Sequence, residues 1–217
     1  MRSVALVIAA FLVFGARPDS AQQDAARVAA ALQAKYDKIR DFTADFVQQY
    51  EGIQKRKLTE KGKVQIKKPG KMRWDYSEPE KKLFVSDGSQ IYLHVPADNQ
   101  VTVSPVPKAD EATTAVLFLV GKGNLTRDFN VAFSPGAPAG THALRLDPKL
   151  PERDYDWLEL VIDQSTLQIR SLKAADRQGG QSTFHFSNFK ENVGLSDKTF
   201  AFSIPRGADV IRTGSAR

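Results

Sequence analysis

Lys68-Pro69-Gly70-Lys71-Met72-Arg73-Trp74-Asp75-Tyr76 decides the fold. After the Pro69-Gly70 turn, bulky apolar side chains at 72, 74 and 76 alternate with charged ones at 71, 73 and 75. A period of two puts the two sets on opposite faces of a β-strand. Working outward, the same turn chemistry separates a series of short strands. Leu58–Lys67 precedes the turn, and Lys71–Ser77, Lys82–Ser86, Gln90–Val95 and Gln100–Ser104 follow it. Further on come Asp128–Phe133, His142–Asp147, Asp156–Asp163, Leu167–Ala174, Gln181–Phe189 and a short Thr199–Ile204. Upstream, Phe42, Ala44, Phe46, Gln48 and Tyr50 share one face of a first strand. Turn signals every 8–12 residues or so predict an antiparallel meander, either barrel or sandwich.

Two helices interrupt the strands. Asp24–Arg40 carries Val28, Leu32, Tyr36 and Ile39 on one stripe, which predicts a helix lying against something. Asp110–Lys122 contains Val116-Leu117-Phe118-Leu119-Val120, apolar on every side before Gly121. Such a helix needs burial on more than one face, so it is predicted inside a barrel or across its mouth. With no repeats or linkers, residues 22–217 read as one domain.

The compartment is read from the first residues. Met1-Arg2-Ser3 is followed by an apolar run from Val4 to Phe14 and then by Gly15, Arg17 and Pro18. The run is far short of the roughly 20 residues that span a bilayer. It is predicted to be a secretory signal over residues 1–21, cleaved near Ala21. Its loss removes Arg2, Arg17 and Asp19, so the formal charge falls from +6 to +5. The chain has no cysteine, hence no disulfide and no site for a lipid anchor after the signal. A soluble periplasmic monomer, neither spanning nor anchored, is the expectation.

Catalytic equipment is not visible. His94, His142 and His185 are widely separated, and no phosphate loop or nucleophile elbow occurs, so neither metal nor cofactor is expected. Glu152, Asp154, Asp156 and Glu159 read as a solvated acidic loop. The basic run Lys55, Arg56, Lys57, Lys61, Lys63, Lys67, Lys68, Lys71 and Arg73 faces only Glu60. It is either a solvated face or a means of steering toward anionic partners. Nucleic acid fits poorly, because no recognition helix or base-stacking platform accompanies it.

Three segments together resemble the LolA family of periplasmic outer-membrane lipoprotein carriers. They are Phe42-x-x-x-Phe46-Val47-Gln48, the block from Gly62 through Lys68-Pro69-Gly70 to Tyr76, and Glu78-Pro79 with Val85-Ser86-Asp87-Gly88-Ser89-Gln90-Ile91-Tyr92. The similarity ends with Phe200-x-Phe202-x-Ile204-Pro205-x-Gly207-Ala208. It implies a mainly β fold with helices: an unclosed antiparallel barrel of about eleven strands, capped by α-helices over a hydrophobic cavity. It also implies a non-enzymatic task. The carrier would accept acylated lipoproteins from the inner-membrane LolCDE transporter, shield their acyl chains, and deliver them to the LolB receptor where one exists.

By the same resemblance, Phe46, Trp74, Tyr92, Leu117 and Phe118 would wall the acyl-chain cavity. Met72 stands where the family has a rim residue that aids transfer; alternation alone does not say whether it faces in. Lys68 takes the place of the family's arginine before proline, which holds the lid helix shut through backbone carbonyls. Val116–Gly121 matches that lid. Lysine offers a point charge rather than a planar fork, so a looser latch is expected. A filled and a hollow barrel pattern alike, and a lipid-binding sensor or a general lipid carrier with this fold remains an alternative.

Overall fold

The structure, a computed structural model, describes residues 20–106, 123–152 and 155–214. Helix α1 (Ser20–Lys38) leads into β1 (Asp41–Glu51), β2 (Lys57–Lys67), β3 (Lys71–Glu78), β4 (Lys82–Ser86), β5 (Gln90–Val95) and β6 (Gln100–Pro105). A one-turn helix, α2 (Leu125–Asp128), precedes β7 (Phe129–Phe133), β8 (Thr141–Pro148), β9 (Trp157–Asp163), β10 (Ile169–Ala175), β11 (Gln181–Glu191) and β12 (Asp209–Arg212). All twelve form one open sheet in the order β12-β6-β5-β4-β3-β2-β1-β11-β10-β9-β8-β7. The predicted unclosed barrel is thus present with twelve strands instead of eleven. The predicted helix over Asp110–Lys122 and residues 1–19 of the predicted signal lie outside the described residues, while Ser20 and Ala21 open α1.

Two meanders make the sheet, β1 to β6 and β7 to β11, and they join where β1 pairs with β11. Each of those two strands is 11 residues long. One face carries Phe42, Phe46, Val64, Ile66, Leu144, Leu160 and Ile162, all at least 98% buried. Helix α1 packs on β7 and α2 through a stripe of Ala25, Ala29, Leu32 and Tyr36. The alanines let the helix approach closely. Gln33 Oε1 accepts from the Leu125 N–H at 2.9 Å, which ties α2 to the same helix.

A bulge in β11 changes which aromatics face the core. Thr43 pairs with Lys190 but Asp45 with Ser187, so β11 has one extra residue there. Asn188 absorbs it in a left-handed conformation, φ 51°, and donates to Asp45 Oδ2 at 2.7 Å. Phe186 and Phe189, three apart in sequence, therefore both reach the core, and Phe189 stacks on Phe42 at 4.7 Å.

The last segment departs from expectation. Thr199–Ile204 is not a strand: Asp197–Phe200 is a 3-10 turn and the strand comes later, at Asp209–Arg212, running parallel to β6. The alternation of Phe200 and Phe202 arises because this stretch crosses the outer face of the sheet as a strap. Asp41 accepts from the Gly194 and Leu195 N–H groups at 3.1 and 3.3 Å. Lys67 donates to Leu195 O, and Lys67 and Lys71 pair with Asp197 at 2.7 and 3.0 Å. Those two ammonium groups, Lys67 first, hold the Asp197 carboxyl below the usual carboxylate range. Phe200 is buried, and Phe202 lies against Tyr92 and His94.

Gly62 is required by close approach. A Cβ there would stand 2.1 Å from Asp75 O and 2.8 Å from the tip of the Phe46 ring. The Gly62→Ala variant is expected to lose about 3 kcal/mol of stability through forced overpacking, read from its urea midpoint. A midpoint equal to wild type would show that β2 and β3 can separate there at no cost.

Candidate functional site

The concave face of β3 to β5 and β11 carries an apolar pocket of about 220 Å³. Met72, Trp74, Tyr76, Lys82, Phe84, Leu93 and Phe184 line it. Register explains the set: Trp74 stands opposite Val64 and Phe84, and Phe84 opposite Leu93, so all point the same way. Behind them is a continuous aromatic wall. Phe46 meets Trp74 and Tyr76 edge-on at 5.0 Å each, and Trp74 meets Phe184 at 5.3 Å. Phe184 and Phe186 are near parallel at 6.4 Å. Offset and edge-to-face contacts of this kind stiffen a wall without filling the space in front of it.

One end of this face is polar. The Tyr76 hydroxyl donates to Gln48 Oε1 at 3.0 Å, and Gln48 Nε2 donates to Ser182 Oγ at 3.1 Å. Lys82 pairs with Glu60, and its ammonium lies 4.6 Å from the centre of the Tyr76 ring. Burial, reinforced by the Glu60 charge, pushes the Tyr76 phenol up to about 12, so it is a neutral donor at physiological pH.

Lys68 is at the other end. Its ammonium donates to the Tyr36 carbonyl in the last turn of α1 and sits 4.1 Å from the centre of the Tyr36 ring. A cation at a helix C-terminus meets the negative end of the helix dipole. Burial lowers the Lys68 pKa, and the Asp37 carboxylate partly restores it. Lys68 therefore tethers the β2–β3 turn to α1, and its own N–H donates to Arg40 O at 2.8 Å.

Of the residues singled out from the sequence, Phe46 and Trp74 come together in the aromatic wall. Met72 faces inward, 6% exposed, and joins them at the pocket. Tyr92 does not. It pairs with Val85 and Val103, on the outer face, against Phe202. The error has a physical cause: Ile91-Tyr92-Leu93-His94-Val95 is bulky on both sides, because the cavity covers one face and the strap the other. Leu117 and Phe118 lie outside the described residues. Sequence reasoning missed Phe84, Leu93, Phe184 and Phe186; the alternation of 184 and 186 within the predicted strand was the available signal. It also missed Glu60 and Lys82, for which only the ladder supplies proximity.

An open antiparallel barrel with an amphipathic helix on its concave side and an aromatic pocket beside it has the architecture of a binding protein for apolar chains. The chain belongs to the LolA family: residues 37–203 match the profile described as outer membrane lipoprotein carrier protein LolA. Relatives called outer-membrane lipoprotein carrier protein include one from Chromohalobacter salexigens, 31% identical over 97% of each chain. Another, from Methylobacillus flagellatus, is 30% identical over 95% of each chain. An uncharacterized conserved protein from Thermus thermophilus shares the fold, with TM-score 0.55, 13% identity, and coverage of 86% of this chain and 98% of that one. The family is one of carriers, not catalysts.

The Lys68 tether makes a direct forecast. Lys68→Leu is expected to fold normally by circular dichroism while amides in the last turn of α1 exchange about tenfold faster, the worth of one such hydrogen bond. Exchange unchanged from wild type would mean that the contact does not hold the helix end.

Proposed function

We propose that this chain is a periplasmic lipoprotein carrier that shelters acyl chains on its concave aromatic face and gives them up at the outer membrane. The observation that carries this is the pocket in front of Phe46, Trp74, Phe184 and Phe186, in a chain of the LolA family. Each methylene withdrawn from water is worth about 0.8 kcal/mol, so one long acyl chain resists free solution by roughly 10 kcal/mol. A wall of apolar side chains offsets most of that penalty. No helix among the described residues is long and apolar enough to cross a membrane.

Residues 1–21 would export the chain and be removed, and without cysteine the mature protein would carry no lipid of its own. It would act as a monomer, without metal or cofactor and without catalysing a reaction. Its expected partners are acylated lipoproteins, the LolCDE transporter as donor and LolB, where present, as acceptor. Lys68 would serve as the latch on the lid segment Val116–Gly121, which lies outside the described residues. The same side chain holds α1 to the β2–β3 turn with one rotating ammonium, a contact worth about 1–2 kcal/mol and thus small beside the cargo's own burial.

Native mass spectrometry of protein taken from its periplasm tests the reading. A stoichiometric complex with triacylated lipoprotein is expected for wild type, and Leu93→Asp, which places a charge at the half-exposed edge of the pocket, should come out empty though folded. Retention of a diacyl phospholipid alone by wild type would replace lipoprotein carriage with general lipid transport.

A further inference from the structure

The Glu60–Lys82 pair has no evident structural purpose. Both side chains belong to the concave face: Glu60 stands opposite Gln48 on β1, and Lys82 opposite Tyr76 on β3. The Glu60 side chain is 9% exposed and that of Lys82 27%. Burying two opposite charges in an apolar wall costs more desolvation than an aliphatic pair of the same shape would, so stability does not account for them. The neighbours sharpen the point. Lys82 lines the same pocket as Trp74, Phe84, Leu93 and Phe184, and its ammonium is held between Glu60 and the Tyr76 ring.

An ammonium has three donors. Glu60 is the one carboxylate paired with Lys82 among the described residues, so N–H capacity remains on the pocket side. The pair is neutral as a unit, and this restricts what it can receive. A phosphate brought to Lys82 would meet the Glu60 carboxylate beside it, and like charges at close range in a poorly hydrated site repel strongly. A neutral acceptor, a carbonyl oxygen, meets no such opposition. Tyr76, Gln48 and Ser182 extend the polar ground at this end, whereas Ile66, Met72 and Phe42 keep the wall apolar from there toward the β2–β3 turn.

We propose that Glu60 and Lys82 form a head-group reader in the acyl-chain pocket: Lys82 Nζ donates to an acyl-ester or amide carbonyl of the cargo lipid, and Glu60 turns away anionic phospholipid. The inference rests on the carrier reading above. It also orients the cargo, with the linkage region at Lys82 and the hydrocarbon running toward Met72. The abundant competitor for such a pocket in an envelope is phospholipid, whose phosphate is the group this pair would refuse.

Two probes of matched chain length separate the outcomes: a triacylated cysteinyl dipeptide with an amidated C-terminus, which is neutral, and phosphatidylglycerol. Binding of each to the mature protein is measured by displacement of a fluorescent fatty acid. Wild type should prefer the neutral lipopeptide. Lys82→Met should weaken lipopeptide binding about tenfold, the worth of one charge-assisted hydrogen bond. Glu60→Gln should raise phosphatidylglycerol affinity by about the same factor. Where a single variant fails to fold, the double variant Glu60→Gln with Lys82→Met leaves no unpaired charge and should bind both probes without preference. A wild type that binds the lipopeptide, with the same preference in every folded variant, would reduce the pair to a structural feature and leave the carrier reading intact. A wild type that binds neither probe would remove both.

Discussion

The pairing of β1 with β11 is the constraint on which the rest depends. Every other antiparallel contact in the sheet joins strands adjacent in sequence, through short turns. This one joins residues about 140 apart, from Phe42 opposite Glu191 to Glu51 opposite Gln181. It brings the two meanders edge to edge, and only then do Phe46 and Trp74 from one half meet Phe184 and Phe186 from the other. The seam is reinforced where it bends. The bulge at Asn188 increases local twist, as such extra residues do, and turns Phe189 onto Phe42. Without the seam each half would expose an apolar face, and the pocket on β3 to β5 would lose Phe184 from its lining.

Charge is distributed to serve that architecture. The basic run at residues 55–73 looks like one feature in sequence, but the ladder divides it. Lys67 and Lys71 hold Asp197, Lys61 pairs with Glu78, and Arg73 pairs with Asp75 and reaches Thr199 O. Of these, Lys67, Lys71 and Arg73 fasten the strap on the outer face of the sheet, while Lys61 joins β2 to the end of β3. Lys68 turns the other way, to the end of α1. Three of the nine basic residues of the run thereby fix the chain's own C-terminal segment.

Most of the sheet was legible because its inner residues obey a period of two against charged outer ones, as in Lys71–Tyr76. Strand bounds from β2 to β6 fall within a residue of the sequence reading, since Pro69-Gly70, Asp87-Gly88 and Pro96–Asn99 punctuate them. Alternation fails where a strand is covered on both faces, and Tyr92 was misplaced for that reason. It fails again where backbone crosses the sheet without pairing, so Phe200 and Phe202 passed for a strand. The amphipathic helix was legible by type, but its buried stripe rests on Ala25 and Ala29 as much as on the larger residues, and alanine carries little periodic signal. The proximity of Glu60 and Lys82 depends on register across three strands, which no local pattern encodes.

A carrier has to bind apolar chains firmly and still release them, and the two ends of the concave face divide that work. At the Lys68 end a single partly desolvated ammonium donates to a carbonyl in the last turn of α1, the contact proposed as the closure. At the Lys82 end the ammonium is held by the Glu60 carboxylate and the Tyr76 ring. A weak closure at one end and a held donor at the other would let affinity come from hydrocarbon burial and selectivity from geometry. Strengthening the closure would add affinity for every apolar chain alike, phospholipid included, and would slow release without improving the choice of cargo.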